Sequence, residues 1–513
     1  MRRFPRRIAQ YIVDTEEEQT FEDLLHDCIR VAINLRADEL SEEDILALSS
    51  SNRKETCIPY FAALFLGIKV SAFDTSISVK DRAHLLKEAT PKVIFVEAEI
   101  LASVQESIEV AQVDTKIVVI GGESGENSSF EEYLQASDDE ISQFEPVKFE
   151  SDRRTASVLF SSGTTGLPKG ICLSHYGMLS QGLLLVLSGL FGNVPSPVAL
   201  TFSQLYWISA NVFLIGATVS GTARVIMKTF NPNELWKVVD KYKITVAFLS
   251  PFQCLDFSKS SRPESVDTSS LHALATGGGP ISEKLVHSLR DVLPGTFIMQ
   301  LYGQTEVCGA STMFQTRRID DQLLLHYKPG SVGRPMPGFW MKIVNTETGE
   351  LLGPNENGEL RIKSDFLMVG YHQRDCSEAY DEHGWFKTGD VAYYDEFQCF
   401  YIVDRIKEML KFRGWHVQPV MLENVLMSHP AVSGAVVVGI PDEEDGDHPM
   451  GLVVLKEDFF DIDPKVLEVF VEERVQDRQR LRAGVKIIDH IPITNTGKIK
   501  RLFLKNCVIN GEI

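Results

Sequence analysis

Three things are scarce in this sequence: paired cysteines, long apolar runs and positive charge. The eight cysteines, Cys28, Cys57, Cys172, Cys254, Cys308, Cys376, Cys399 and Cys507, are scattered, and none stands in a Cys-x-x-Cys pair. That spacing offers neither a zinc site nor a disulfide framework, so a reducing compartment is expected. The longest apolar stretch, residues 182–192, is too short to span a bilayer and is closed by Pro195 and Pro197. A core helix is expected there instead. Only 51 Lys and Arg stand against 71 Asp and Glu, giving a net charge of −20. A chain so acidic is a poor nonspecific ligand for nucleic acid or anionic lipid. A local basic pocket for a phosphorylated ligand remains compatible with it.

Targeting signals are also lacking. Arg2, Arg3, Arg6 and Arg7 are followed by only a short apolar run before Glu16, Glu17 and Glu18. That is too short and too acidic for a signal or transit peptide. The end, Asn510-Gly511-Glu512-Ile513, carries no peroxisomal tripeptide. A cytoplasmic location is expected. No repeat or low-complexity tract interrupts the chain.

What is present is enough apolar residue, 44%, to build buried cores, and at 513 residues more than one of them. The most informative stretch is residues 157–175. An apolar run, Val158-Leu159-Phe160, reads as a buried strand. It leads into Ser161, Ser162, Gly163, Thr164, Thr165 and Gly166, then Leu167, Pro168, Lys169 and Gly170. Glycines let backbone N–H groups turn toward a phosphate, hydroxyls donate further bonds, and Lys169 supplies charge. It is not a Walker loop, which needs Gly, four residues, then Gly-Lys-Ser/Thr. A plain solvent turn is the alternative, but such a turn has no use for this many hydroxyls, glycines and a lysine together.

Around that stretch, strands and helices alternate. Residues 20–35 read as an amphipathic helix capped by Thr20, with Phe21, Leu24, Leu25, Cys28, Val31, Ala32 and Leu35 at helical spacing. Residues 58–68 read as a second helix. Strands are expected at 93–96, 117–120, 246–249, 274–276 and 297–301. The alternation implies an α/β domain with largely parallel sheet, whose ligands sit at the carboxyl ends of the strands. Gly277, Gly278 and Gly279 follow one such strand and would let a flat ring or acyl chain lie on bare backbone. A tight turn is the equal alternative. Tyr302, Gly303, Gln304, Thr305 and Glu306 follow another. A hydroxyl and a carboxylate there suit magnesium bound to phosphate oxygens, although a capped turn would explain them too.

From Gly333 the pattern shifts to short strands and turns, which suggests a small β subdomain. Thr388-Gly389-Asp390 follows, where a carboxylate could accept ribose hydroxyls or simply sit in a β-turn. Residues 401–414 turn polar, with Asp404, Arg405, Lys407, Lys411 and Arg413, and the domain junction is expected here. Beyond it, a helix at 422–427, a strand at 432–440 and a helix at 466–475 make a small domain. The acidic patch 442–447 reads as a solvated loop. Near the end lies Thr494-Asn495-Thr496-Gly497-Lys498, whose lysine is either an ordinary surface residue or one delivered to another domain.

Taken serially, SSGTTGLPKG, GGGP, YGQTE, TGD, DRIKEMLKFRG and TNTGK resemble the adenylate-forming superfamily, which includes acyl-CoA synthetases, 4-coumarate–CoA ligases and luciferases. The resemblance covers effectively the whole chain. It implies an α/β fold in two parts. Residues 1–404 would form the large N-terminal adenylation domain with its small β subdomain, and 405–513 a small mobile α+β domain. It implies that Ser161, Ser162, Gly163, Thr164, Thr165, Gly166 and Lys169 hold the ATP phosphates. Gly277, Gly278 and Gly279 would flank adenine and the acyl group. Tyr302 would stack near adenine beside Gly303, Thr305 would contact phosphate, and Glu306 would bind Mg2+. Asp390 and Arg405 would hold the ribose. Lys407 would be the hinge, Lys411 and Gly414 would serve the coenzyme A step, and Lys498 would be the adenylation lysine.

The implied chemistry joins a carboxylate to ATP with loss of pyrophosphate, then transfers the acyl group to a thiol. The implied activity is an acyl-CoA synthetase acting on a small-molecule carboxylic acid, fatty or aromatic. A luciferase-like monooxygenase and a catalytically weakened binding homologue are the alternatives. A carrier-loading module fits less well, since no carrier domain is appended. Two departures from the family pattern stand out. Residues 201–207 lack the family's histidine, and Gln204 takes its place in an acyl pocket with Phe202, Trp207 and Gly278. Pro419-Val420-Met421-Leu422-Glu423 keeps only one of two carboxylates.

Overall fold

The computed structural model spans residues 1–513 and describes all except 162–167, 193, 414, 460–461 and 493–498. The chain forms two compact units. One comprises Met1–Trp340 with Lys363–Gly384, the other Met341–Ile362 with Trp385–Ile513. The fold is mixed α/β with a larger N-terminal and a smaller C-terminal part, as the sequence pattern implies. Arg405, where the junction is expected, lies inside the second unit.

The first unit is built on two large sheets. In one, Lys69–Ala72, Ile45–Ser49, Val93–Glu97 and Lys116–Ile120 run parallel. Ile45–Ser49 and Val93–Glu97 are buried along their whole length, so both faces of this sheet are covered. Thr155–Ser161 joins it in parallel, and Lys169–Ser174 then turns back antiparallel. In the other, Phe297–Gln300, Ala273–Thr276, Val246–Leu249, Val198–Thr201, Ala223–Ile226 and Ile8–Ile12 are parallel, and Glu18–Thr20 closes the edge antiparallel. Trp236, Leu249, Phe257 and Leu289 form part of the core beside this sheet.

The helix Phe21–Ala37 forms where its spacing predicts. Thr20 accepts from the Asp23 N–H, and the Asp23 side chain returns a bond to the Thr20 N–H, a capping box. Phe21, Leu24, Cys28, Val31, Ala32 and Leu35 are its buried stripe.

The core helix expected over 182–192 needs correction. The helix is His175–Leu187, and the chain leaves it at Gly189 and Gly192, with φ of 86° and 82°. These left-handed residues stop a helix whatever the apolar content that follows. Only one face is core. Gly182 packs on the helix Ile208–Ser220, where a Cβ would come within 2.9 Å of the Gly216 nitrogen, while Leu179, Leu183 and Leu187 face outward. Among the described residues no helix is long and apolar enough to cross a membrane. All eight cysteines are free.

The second unit holds most of a sheet in the order Phe339–Val344, Gly358–Ser364, Phe386–Tyr394, Phe400–Arg405, its last three strands antiparallel, in keeping with the small β region expected after Gly333. Its other sheet pairs the long strands Val432–Asp442 and Gly446–Leu455, with Val485–Ile487 and the hairpin Leu410–Phe412/Trp415–Val417 alongside. The acidic patch 442–447 is the exposed turn that joins Val432–Asp442 to Gly446–Leu455, in keeping with a solvated loop, and in it Asp445 pairs with Arg413 Nε at 2.6 Å and His448 Nε2 at 2.8 Å. The Asp447 carboxylate accepts the Lys411 N–H at 3.1 Å.

Candidate active site

The strand Thr155–Ser161 ends at Ser161, and the returning strand starts at Lys169 directly opposite it. Their pairing fixes the two ends of the glycine- and hydroxyl-rich loop. Ser162, Gly163, Thr164, Thr165 and Gly166 lie outside the described residues. Lys169 is exposed, and its Nζ lies 5.0 Å from the centre of the Tyr371 ring. Tyr371 belongs to the short strand Gly370–Tyr371, which pairs with Lys169–Ser174. The cation thus rests over an aromatic face, an attraction worth about 0.5–1 kcal/mol at exposed sites.

The charge of Glu306, on another element, acts on the same tyrosine. Glu306 sits in the one-turn helix Thr305–Val307, just after the strand Tyr302–Gln304. Burial first, then the Glu306 charge, pushes the Tyr371 hydroxyl up to about 12. Tyr380 is likewise pushed up to about 12 by burial, Cys376 and Glu306. Both phenols therefore stay protonated near neutrality.

The turn carrying Glu306 is held tightly. Gln181, fully buried in the helix His175–Leu187, donates to the Val307 carbonyl at 3.2 Å and the Ala310 carbonyl at 3.0 Å. The Met368 N–H donates to the Glu306 carbonyl at 2.8 Å. Gly303 crosses Gly309 so closely that a Cβ would lie 1.9 Å from the Gly309 oxygen. Tyr302 is buried and pairs with Thr312.

Gly277, Gly278 and Gly279 leave the carboxyl end of Ala273–Thr276, as expected. Leu249, Thr276 and Gln300 end their strands in register around them. A Cβ at Gly277 would meet the Leu301 oxygen at 3.1 Å and the Phe248 ring at 3.6 Å. Gly278 takes φ of 86° with nothing within 4 Å of a Cβ, so it presents open backbone.

The Phe202–Trp207 loop leaves the neighbouring strand Val198–Thr201. Asn211 ties it down, donating to the carbonyls of Leu205 and Trp207, each at 2.7 Å. Phe202 turns edge-on to Phe230, with ring centres 5.2 Å apart, and packs on the core beneath. Trp207 is half-buried and lies 5.2 Å from the Tyr206 ring. Gln204 Oε1 is buried and accepts no hydrogen bond among the described residues.

In the second unit, Asp390 and Arg405 are brought together. Asp390 does not sit in a β-turn. It lies within the strand Phe386–Tyr394, opposite Arg405 on Phe400–Arg405. The turn signal of Gly389 is real, with φ of 71°, but it is absorbed without ending the strand. Arg405 Nε is 3.4 Å from the Asp390 carboxylate, and the Asp390 N–H donates to Thr388 Oγ1 at 3.1 Å.

Next to Arg405, Asp404 is buried and accepts the Arg405 N–H at 2.7 Å. Burial pushes its carboxyl up to about 6, opposed by that N–H bond and by the Arg501 charge. Glu423, the carboxylate retained in 419–423, pairs with Arg501, which also donates to the Val437 carbonyl at 2.6 Å. Met421, at the lost one, packs beside an apolar core. Lys407 lies in the turn after Phe400–Arg405, and Lys411 is exposed on Leu410–Phe412. Gly414 and Lys498 lie outside the described residues.

The sequence reading missed Tyr371 and Gln181. A tyrosine after Gly370 carries no local signature. A glutamine in the apolar stretch of a helix does, because a buried amide needs partners.

Two family models match the chain: one described as AMP-binding enzyme over residues 1–372, the other as AMP-binding enzyme C-terminal domain over 421–498. A luciferin 4-monooxygenase from Photuris pensylvanica is 30% identical over 507 residues, covering 97% of this chain and 91% of its own length. The 4-coumarate–CoA ligase-like 9 protein of Arabidopsis thaliana is 30% identical over 512 residues, covering 98% and 87%. Among solved structures, the luciferase-like enzyme from the nonluminescent Zophobas morio mealworm is 35% identical with a TM-score of 0.75, covering 80% of this chain and 94% of that one. The o-succinylbenzoate CoA synthetase of Bacillus subtilis with its acyl-adenylate intermediate is 25% identical with a TM-score of 0.83, covering 98% and 96%.

Proposed function

The chain belongs to the AMP-binding, adenylate-forming enzyme family, and from that premise we propose that it is an ATP-dependent acid–CoA ligase. In the first step, a carboxylate oxygen of the acid bonds to the α-phosphorus of ATP, and the bond to the β-phosphate oxygen breaks with loss of pyrophosphate. In the second, the coenzyme A sulfur bonds to the acyl carbon, AMP leaves, and the thiol proton passes to solvent.

The observation that carries this reading is Lys169, paired with Ser161 across the two ends of the glycine- and hydroxyl-rich loop and standing over the Tyr371 ring. The first step brings an anion to a polyanion, so fixed cations must meet the developing charge. Lys169 would supply one beside the phosphates, with Ser161, Thr305 and the loop 162–166. Glu306 fits magnesium, which takes one or two carboxylates and completes its shell with phosphate oxygens and water. Magnesium, when bound, neutralises charge on the phosphate oxygens.

Tyr302 and Gly277–Gly279 would seat adenine and the start of the acyl group. Asp390, with Arg405 beside it, would accept the ribose hydroxyls. Lys498 would bridge the attacking carboxylate and the α-phosphate. Rotation of residues 405–513 about Lys407 would then withdraw it and bring Lys411 and Gly414 to the thiol step. The free cysteines favour a cytosolic setting.

Pyrophosphate exchange into ATP, driven by a panel of fatty and aromatic acids, tests the first step. Mass detection of acyl-CoA tests the second. Exchange with at least one acid and a thioester product are expected. ATP binding without exchange for any acid would favour a weakened binding homologue. A second reading, luciferase-like oxidation of the acyl-adenylate, is favoured by the luciferase names among relatives at 30% and 35% identity. Oxygen uptake with light and no thioester would establish it in place of the ligase.

A further inference from the structure

A cavity of about 40 Å³ opens in the first unit at the ends of Val198–Thr201 and Ala223–Ile226, lined in part by Thr56, Cys57, Thr201, Ser203, Phe213 and Arg224. Each water needs roughly 10–15 Å³ by this measure, so it holds a few waters or one small polar head group. An aromatic ring or an alkyl chain does not fit.

Arg53, also on its wall, is paired with Glu99 at 3.1 Å, whereas its unusual wall is Arg224. The guanidinium is half-buried and is paired with no carboxylate among the described residues. Its Nη2 donates to Gln10 Oε1 at 2.5 Å and lies 3.0 Å from Cys57 Sγ. Both partners are neutral. Burial holds the Cys57 thiol above its ordinary value, against the pull of Arg224. The nearest carboxylate in this network is two amides away. Gln10 Nε2 donates to Gln19 Oε1 at 2.7 Å, and Gln19 Nε2 donates to Asp27 at 2.8 Å. Asp27 is itself paired with Arg30 at 2.9 Å. The relay fixes the Gln10 oxygen toward Arg224 but brings no counter-charge to it. The guanidinium has donors beyond Nη2, and none makes a hydrogen bond among the described residues. A charge half withdrawn from water and without an opposite charge is penalised, and an anion in the cavity relieves that cost.

The cavity lies behind the expected acyl pocket. Thr201 and Ser203 flank Phe202 in the loop that carries Gln204. Phe213 lines the cavity and packs on Phe248, ring centres 5.3 Å apart. Phe248 in turn underlies Gly277.

We propose that the cavity receives the far end of the acyl substrate, and that Arg224 selects acids bearing a second carboxylate there. This rests on the acid-activation reading above. The carboxylate that reacts with ATP stays at the glycine bed, and the second displaces the cavity's waters and forms a charge-assisted pair with the guanidinium fork.

The test compares chain-matched monocarboxylic and α,ω-dicarboxylic acids in pyrophosphate exchange, for the wild type, Arg224→Met and Arg224→Lys. The wild type is expected to prefer the dicarboxylic member in kcat/KM. Arg224→Met is expected to lower that preference about 10- to 100-fold, chiefly through KM, as loss of a charged hydrogen bond would. Arg224→Lys keeps the charge without the fork and should lower it less. Equal use of both acids by the wild type, or an unchanged preference in Arg224→Met, overturns the inference and leaves the ligase reading standing. Should Arg224→Met fail to fold, Arg224→Lys carries the same comparison. If no acid supports exchange, the ligase reading fails, and thermal melting decides for the cavity. A dicarboxylate-specific rise in the wild type, reduced in Arg224→Lys and lost in Arg224→Met, keeps the assignment; no such rise, or one unchanged in Arg224→Met, overturns it.

Discussion

Asp390 and Arg405 face each other across neighbouring strands, with Arg405 Nε 3.4 Å from a carboxylate that is itself buried. In the proposed nucleotide site this carboxylate would accept hydrogen bonds from adjacent ribose hydroxyls. Asp390→Asn keeps the shape but removes the charge and one acceptor. It is expected to raise the KM for ATP about 10-fold or more, the worth of a charge-assisted hydrogen bond. Initial rates of pyrophosphate exchange across an ATP series check this. An unchanged KM with an unchanged melting temperature would remove Asp390 from the nucleotide site.

Lys498 is expected to act in one step only. Lys498→Ala should lower adenylate formation about 100-fold or more, the usual cost of removing a fixed donor from developing charge. Thioester formation from a synthetic acyl-adenylate should survive largely intact. The two rates, measured on one preparation, separate the steps. Equal loss of both would defeat a division of labour between two positions of residues 405–513.

How much of this was legible beforehand follows from the range of each signal. Thr20 and the stripe from Phe21 to Leu35 are local, and the helix forms as read. The strand-to-glycine passage into Gly277 is local as well. Gly389 was legible as a backbone irregularity but read as part of a β-turn, because a left-handed glycine can serve a turn or let a strand bend onward. The stop after Leu187 was hidden by apolar residues that continue past it. The Lys169–Tyr371 contact and the Gln10–Gln19–Asp27 relay join residues from separate elements. No periodicity encodes such meetings.

Gly303 is fixed by proximity alone. A Cβ there would lie 1.9 Å from the Gly309 oxygen, so the backbone of one strand has to move. Gly303→Ala is expected to destabilise the first unit by about 1–3 kcal/mol, typical of overpacking, and to displace the turn bearing Thr305 and Glu306. Thermal melting should show the loss, and exchange activity should fall further than the stability change explains at low temperature. Unchanged activity would mean that the turn's position is not limiting.

Asp404 makes stability depend on pH in an unusual direction. Its folded-state value of about 6 lies above the ordinary 3.8. The folded chain therefore holds this proton more tightly than the unfolded chain does. The stabilisation is complete below about 3.8 and is lost as pH rises through about 6. The full swing is on the order of 3 kcal/mol. Asp404→Asn should flatten the decline between pH 4 and 6.5, and denaturant midpoints for the wild type and the variant across that range measure it. Parallel curves would show that Asp404 ionises as freely folded as unfolded.

Gln204 presents a buried oxygen that takes no hydrogen bond among the described residues, in the loop tied down by Asn211. An acceptor left so costs about 1–3 kcal/mol, which a donor on the bound acid or nucleotide would offset. A histidine could fill the same space and, when protonated, place a cation near the reacting carboxylate. Gln204→His is therefore expected to keep or raise the adenylation rate, with the gain largest below pH 6.5, where imidazole is protonated. Exchange rates from pH 5.5 to 8 check both parts. A collapse at every pH would show that the amide of Gln204 has a positioning role of its own, one that a ring cannot replace.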